Sequence, residues 1–259
     1  MPNALKSNKP ESLNKSYMSP DIANQRMETL KNLNILQQEK ILDIGCGTGF
    51  LSFELALLTG QQGSVVAMDL QQAMVEAAAE RCASLPQVST QQGRVEELPF
   101  ADESFDVVTC TQVLLYVEAV DTALSEMHRV LKPGGRIAVL ETDWHGAVMN
   151  SQYPDITDRI ISAWDQAVAS PNLPRVLPSK LKHLGFTAVL PKAIPILNNS
   201  YSEGNFSVSS LDWLRKSAVK AGAITEAEST KWKQDLDRLG QAGEYFFCVN
   251  RFLFTAVKC

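Results

Sequence analysis

Between Ile41 and Leu58 the chain passes from the apolar run Ile41-Leu42-Asp43-Ile44 through glycines at 45, 47 and 49 into the helix-forming segment Leu51 to Leu58. A short strand that ends near an acid, a turn with glycine at alternate positions and a helix make one strand, turn and helix unit. Glycine tolerates positive φ and lets a ligand lie against bare backbone, so such a turn is a shelf for a nucleotide-like molecule at the carboxyl end of a strand. A dinucleotide fingerprint needs its third glycine after two intervening residues. Phe50 stands at that position, and the third glycine comes one residue early, at Gly49. Asp43, just before the turn, would repel a pyrophosphate and welcome an ammonium group.

The format then recurs. Gly63 to Asp69 reads as a strand ending in an acid and leads into an Ala-rich helix over about 71–83; further strands fit 87–92, 105–110 and 136–141. A helix over 121–131 stops at Lys132-Pro133-Gly134-Gly135, where proline and glycine cannot continue it. Alternating strands and helices imply a parallel sheet covered on both faces. Before the first strand, 20–36 has helical spacing with Ser19 as N-cap and Pro20 in the first turn. After Glu141 the spacing predicts helices over 154–169 and 178–184, a strand over 186–196, two helices within 208–240, and an aromatic strand over 244–257. The second of those two helices opens with the capping box Thr225-x-x-Glu228 and is expected to stop at Gly240. Residues 1–16, rich in Asn, Ser, Lys and Pro, read as a disordered arm.

An acid followed by Gly-x-Gly-x-Gly, with Asp69 ending the next strand, Gly93 to Phe100 as a third loop and a Leu131-Lys-Pro-Gly-Gly135 turn, resembles the class I S-adenosylmethionine-dependent methyltransferases. The likeness is to the small-molecule, ubiquinone/menaquinone-methyltransferase-like type; it is dense over 17–141 and looser beyond. It implies an α/β fold: a doubly wound, seven-stranded, mostly parallel Rossmann-like sheet with the last strand antiparallel. A single domain over 17–259 is then expected, with 197–243 a helical cap inserted before the last strand. It further implies S-adenosylmethionine as cofactor, released as S-adenosylhomocysteine. The cofactor contacts implied are Tyr17 and Arg26 ahead of the sheet; Asp43, Gly45, Cys46, Gly47, Thr48 and Gly49 in the first loop; Asp69, Leu70 and Met74 after the second strand; Arg94, Val95 and Glu96; and Thr111 and Gln112. Asp69 would accept from both ribose hydroxyls. Members of the family often carry Asp where Arg94 stands. Arginine has no acceptor for the adenine amino group, so Glu96 or backbone would take that role, with the Val95 N–H serving the ring.

The segment Glu141-Thr-Asp143-Trp144-His145 leaves the fifth strand where the methyl acceptor should sit, and alternation places 141, 143 and 145 on one side. Asp143 and His145 are the candidate catalytic residues, His145 as a general base or at the pocket rim. Tyr116, Asp143, Trp144 and Trp213 are the candidate acceptor contacts, and no metal is expected.

Among 259 residues, 45% are apolar and 20% charged, and the net charge of −5 with no Lys/Arg cluster argues against nucleic acid. Five cysteines without a Cys-x-x-Cys pair, no signal-type stretch and no long apolar run suit reduced thiols, a cytoplasmic protein and no membrane insertion. The expected function is methyl transfer to a small molecule, whose nucleophile is left open; a homo-oligomer is compatible. Alternatives are methylation of RNA or protein, a silent regulatory partner of the same fold, or other chemistry on the same cofactor.

Overall fold

A computed structural model describes residues 10–259, the side chain of Ser12 excepted. The first half alternates strand and helix: α1 (Pro10–Tyr17), α2 (Pro20–Leu33), β1 (Lys40–Ile44), α3 (Phe50–Thr59), β2 (Ser64–Asp69), α4 (Gln72–Arg81), β3 (Val88–Gln92), β4 (Phe105–Thr111), α5 (Val120–Val130) and β5 (Leu131–Thr142). The second half holds β6 (Val148–Met149), α6 (Pro154–Ala167), α7 (Leu173–His183), β7 (Phe186–Asn198), α8 (Phe206–Lys220), α9 (Glu226–Ala242) and β8 (Phe247–Lys258). The strand order is β3-β2-β1-β4-β5-β8-β6, with β7 also on β8. β1 to β5 run parallel, and β8 is antiparallel to β5, β6 and β7. The sheet thus has the seven expected strands plus the two-residue β6, which takes up β8 where β5 leaves it. β1 lies between β2 and β4, so the order reverses there and the carboxyl ends of β1 and β4 frame the crevice in which such sheets bind ligands.

Alternation along each strand assigns the two faces. Leu42, Val108, Val139 and Phe254 join Leu124 and Met127 of α5 and Leu177 of α7 in one core. Their chain neighbours Ile41, Val107, Leu140 and Leu253 join Leu33 of α2 and Leu55 of α3 in the other. Full burial of each such side chain contributes about 1.5–3 kcal/mol. A third cluster lies beyond the carboxyl edge, where Trp144, Trp164 of α6, Leu214 of α8, Trp232 of α9 and Phe247 pack together. α8 and α9 occupy the connection between β7 and β8, whose ends Asn198 and Phe247 are register partners. Among the described residues no helix is long and apolar enough to cross a membrane.

Four expectations are corrected. The expected arm of residues 1–16 is helical from Pro10 onward, while 1–9 lie outside the described residues. Polar contacts hold that helix: Arg81 donates to Asn14 at 3.1 Å and Lys15 to Glu203 at 3.3 Å. α7 starts at Leu173, not Pro178; Pro174 occupies the first turn, where a missing N–H costs nothing, and Pro178 falls inside the helix. α9 runs past Gly240 to Ala242 and ends on Gly243 at φ 70°. Gly240 serves packing instead, since a Cβ there would lie 2.5 Å from Tyr201 Cβ. β5 starts at Leu131, because the glycine turn is absorbed as an irregularity in its pairing with β4, with Gly134 at φ 77°.

Candidate functional site

The loop between β1 and α3 has Gly45, Gly47 and Gly49 all at positive φ, 69°, 54° and 81°. Each glycine is also held by crowding: a Cβ would meet Val113 Cγ2 at 2.1 Å from Gly45, the Tyr17 ring at 3.1 Å from Gly47, and Ala78 Cα at 2.9 Å from Gly49. The N–H groups of Gly45 and Cys46 both donate to the Met68 carbonyl, at 2.7 and 3.0 Å, which clamps the loop to the end of β2. Asp69 completes the clamp, accepting from Gly47 N–H at 3.0 Å and Gln71 N–H at 2.9 Å. A carboxylate has about four acceptor positions. Two are filled by backbone, so Asp69 is fixed in orientation and still has capacity for a pair of hydroxyl donors.

Asp43 is 1% exposed and accepts from Ser52 Oγ at 2.5 Å. Burial pushes its carboxyl up to about 7, the Ser52 bond opposes this, and the charge of Asp69 adds to it. It forms the floor beneath the loop, not its lip. Cys46 is a buried thiol driven up by burial, and Thr48 is fully buried with no partner for Oγ1.

α1 lies across this loop. The Tyr17 ring rests on Gly47, meets Phe50 edge-on at 6.2 Å, and its hydroxyl is pushed up to about 12 by burial. Arg26 has its guanidinium 4.9 Å over the Phe50 ring, its Nε pairs with Glu54 at 3.2 Å and its Nη1 holds the Tyr17 carbonyl at 2.6 Å. Arg81, which no sequence signal marked, stacks 3.4 Å over the Phe50 ring and donates to the Thr48 carbonyl at 2.6 Å.

Along the same edge, Met74 is 1% exposed and Leu70 is half-buried, its carbonyl accepting from Gln92 at 2.9 Å. Arg94 pairs with Glu96 at 2.8 Å, with the Arg94 side chain 55% exposed, while Val95 is buried between them. At the end of β4 the chain turns sharply. Gln112 is left-handed, φ 57°, with Oε1 accepting from Thr142 Oγ1 at 2.9 Å, and Thr111 Oγ1 is buried without a partner. A non-glycine residue held there is a mark of a site where geometry outranks comfort. It delivers Val113 and Leu114, whose N–H groups donate to Glu141 Oε1 at 3.1 and 2.7 Å. Glu141 is fully buried, Oε2 has no partner, and burial pushes the group up to about 8 against those bonds.

The expected alternation of 141, 143 and 145 fails because β5 ends at Thr142 and a 3₁₀ turn covers Trp144 to Gly146. Each residue has a separate partner. Asp143 forms a two-pronged pair with Arg175 of α7 and caps the turn through His145 N–H at 3.1 Å. The His145 ring pairs with Asp165 of α6. Trp144 turns inward, stacked on Phe206 at 6.3 Å beside Phe247 at 6.4 Å. Tyr116 meets Trp164 edge-on at 6.1 Å, and Trp164 meets Trp213 at 4.6 Å. Trp144, Tyr116 and, from α8 of the cap, Trp213 therefore share one aromatic region, while His145 is on its outside.

Sequence reasoning missed Arg251. It pairs in register with Thr142, is 8% exposed, bonds the side-chain oxygen of Gln25, and lies 4.7 Å over the Phe206 ring. The available signal was a lone charge inside the apolar run between Glu244 and Lys258.

The model of a family described as a methyltransferase domain matches residues 35–184. An uncharacterised 37.1 kDa protein in transposon Tn4556 of Streptomyces fradiae is 32% identical over 84% of this chain and 62% of its own length. A demethylmenaquinone methyltransferase of Staphylococcus aureus is 40% identical over 45% of this chain and 48% of its own. The chain thus spans about half to three-fifths of these relatives. Among solved structures, the YcgJ protein of Bacillus subtilis superposes with a TM-score of 0.62 at 21% identity, over 91% of this chain and 98% of that one.

Proposed function

The chain belongs to the methyltransferase-domain family, and on that premise we propose that it transfers the methyl group of S-adenosylmethionine to a small-molecule acceptor held between the sheet edge and the cap. The observation that carries the reading is the join between Asp69 and the glycine loop. One carboxylate, oriented by Gly47 N–H at 3.0 Å, stands where ribose hydroxyls would lie against bare backbone. In this reading Asp69 holds the ribose, the Gly45 to Gly49 loop and the buried charge of Asp43 face the amino-acid end, Leu70 and Met74 pack along the nucleoside, and Val95 N–H with Glu96 serve the adenine. Arg94, engaged by Glu96, stays outside. Thr111 and Gln112 border the reacting end.

When bound, S-adenosylmethionine supplies a methyl group on positively charged sulfur that needs no further activation. The chain's own work is then to place the acceptor in line and keep water away. Tyr17 covers the loop from α1, and Tyr116, Trp144 and Trp213 wall the acceptor. Asp143 and His145 act as struts, fixing the wall to α7 and α6 through Arg175 and Asp165. A small acceptor is favoured over RNA by the net charge of −5, and the name of the Staphylococcus aureus relative points the same way.

Calorimetric titration with S-adenosylhomocysteine, with NAD as control, tests the cofactor. Labelled S-adenosylmethionine incubated with a protein-free and nucleic-acid-free cell extract tests the acceptor class. No heat and no thermal shift at millimolar S-adenosylhomocysteine would refute the first; label passing only to macromolecules of a whole extract would refute the second.

A further inference from the structure

We propose that Arg251 selects the methyl acceptor, its guanidinium receiving an anionic oxygen carried on a flat, largely apolar molecule. The inference rests on the methyltransferase reading and names the chemistry of the acceptor which that reading leaves open.

A buried guanidinium needs acceptors for five N–H donors and an opposing charge. Arg136, a structural arginine of this chain, has both: it bonds the Leu33 carbonyl at 2.9 Å, the Asn34 carbonyl at 3.3 Å and the Glu39 carboxylate at 2.7 Å. Arg251 has neither in full. Among the described residues no carboxylate oxygen comes within 4.0 Å of it, its hydrogen bond goes to the neutral Gln25 side chain, and its Nε has no acceptor. Its charge is felt by Tyr17, Glu141, Tyr116 and Asp21, which puts these groups in one neighbourhood at the carboxyl edge; the Asp21 carboxylate is itself engaged by Asn198 Nδ2 at 3.0 Å and the Phe206 N–H at 3.1 Å. Glu141 does not supply the missing counter-charge at neutral pH, because burial pushes it up to about 8 and keeps it protonated. A fork with free donors and no carboxylate in contact is suited to a carboxylate or phenolate oxygen of a ligand.

The shape of the ligand follows from what surrounds that fork. Phe206 lies under the guanidinium and stacks with Trp144, while Tyr116, Trp164 and Trp213 form the aromatic row beyond. A cleft of about 510 Å³ between α1 and the cap is lined by Ser16, Ser19 and Asn205, chain neighbours of Tyr17, Pro20 and Phe206; Arg251 itself does not line it.

The test uses the full chain saturated with S-adenosylhomocysteine and titrated calorimetrically at pH 7.4, below the titration of Glu141 and where 4-nitrophenol is mostly ionised, with benzoate, 4-nitrophenolate and the neutral benzamide. Wild type should bind at least one anion about tenfold more tightly than benzamide, R251K should keep part of that preference, and R251Q should lose it with S-adenosylhomocysteine affinity unchanged. Benzoate alone preferred assigns a carboxylate; 4-nitrophenolate alone assigns a phenolate. Equal binding of the three probes by wild type, no binding of either anion at millimolar concentration, or a preference that survives in R251Q would overturn the proposal. The wild-type comparison decides even where R251Q does not fold. Failure of wild type to bind S-adenosylhomocysteine would overturn the methyltransferase reading as well, whereas binding without anion preference overturns this one alone.

Discussion

Replacing Asp69 by alanine separates the two jobs given to its carboxylate. In the folded protein it accepts from two backbone N–H groups, Gly47 at 3.0 Å and Gln71 at 2.9 Å. Its remaining acceptor capacity is assigned to the ribose. Hydrogen bonds to a charged group contribute about 1.5–3 kcal/mol, so losing the ribose acceptor should raise the Kd for S-adenosylhomocysteine about 10- to 150-fold. The orphaned N–H groups lie at a partly exposed turn, where water replaces much of the lost bond, and the urea midpoint should fall by about 1 kcal/mol equivalent. Asp69→Asn should fall between, since its amide keeps one oxygen for the backbone and turns a donor toward either the loop or the ribose. Calorimetry well below the unfolding transition reads affinity, and a ligand-free melt reads stability. A folded Asp69→Ala protein with less than about threefold loss of affinity would remove Asp69 from the cofactor site and with it the observation on which the functional reading stands.

Gly49→Ala should cost about 2–5 kcal/mol, left-handed strain plus a Cβ 2.9 Å from Ala78 Cα, whereas Gly134→Ala, equally left-handed but with nothing within 4 Å, should cost about 1–2 kcal/mol in urea unfolding. Ligand-free stability should fall as pH rises from about 5 to 8. Asp43 and Glu141, pushed up to about 7 and about 8, keep protons over a range where the unfolded chain has released them, so the native state loses that advantage as they ionise. His128, whose burial lowers its imidazole, works in the opposite direction near pH 6. A urea midpoint flat over this range, or one as steep in Asp43→Asn as in wild type, would count against the buried acid. Trp144→Ala should destabilise by about 3–5 kcal/mol while the folded fraction keeps its S-adenosylhomocysteine affinity. His145→Ala removes a half-exposed imidazole from the mostly buried Asp165 carboxylate and should destabilise by about 1–3 kcal/mol with turnover of the folded protein retained; a large fall in kcat would make it a base.

The cofactor half was legible because its signals are local. Three glycines at fixed spacing, an acid closing the next strand and periodicity switching between strand and helix all fall within short windows, and the loop and the run of parallel strands follow from them; in the cap, the capping box at Thr225 and Glu228 was legible for the same reason. The acceptor half depends on partners far away in sequence. That Asp143 meets Arg175, His145 meets Asp165 and Arg251 meets Gln25 is set by how α7, α6 and α2 seat on the sheet edge. The alternation read through 141, 143 and 145 presumed that the strand continued; the 3₁₀ turn at Trp144 breaks it. Gln112 adopts its left-handed backbone under tertiary constraint, which no property of glutamine announces. Arg251 was visible as an anomaly of composition, but its meaning needed the list of bonds it does not make.

The register pairing of Asn198 with Phe247 means that the cap leaves the sheet and returns to it at the same point. To the β7 and β8 strands, residues 199–246 are one long hairpin loop, and a short turn would join the strands as well. Spanning that gap with some fifty residues in place of four costs only about 2 kcal/mol in closure entropy, which the cap's own apolar cluster offsets many times over. The cap is therefore a cassette, joined to the sheet at one residue pair and contributing no strand to it; it brings Phe206 and Trp213 to the aromatic region, while Tyr116, Trp144 and Arg251 belong to the rest of the chain. A lineage can lengthen, shorten or exchange it and leave the glycine loop, Asp69 and the order of the sheet untouched.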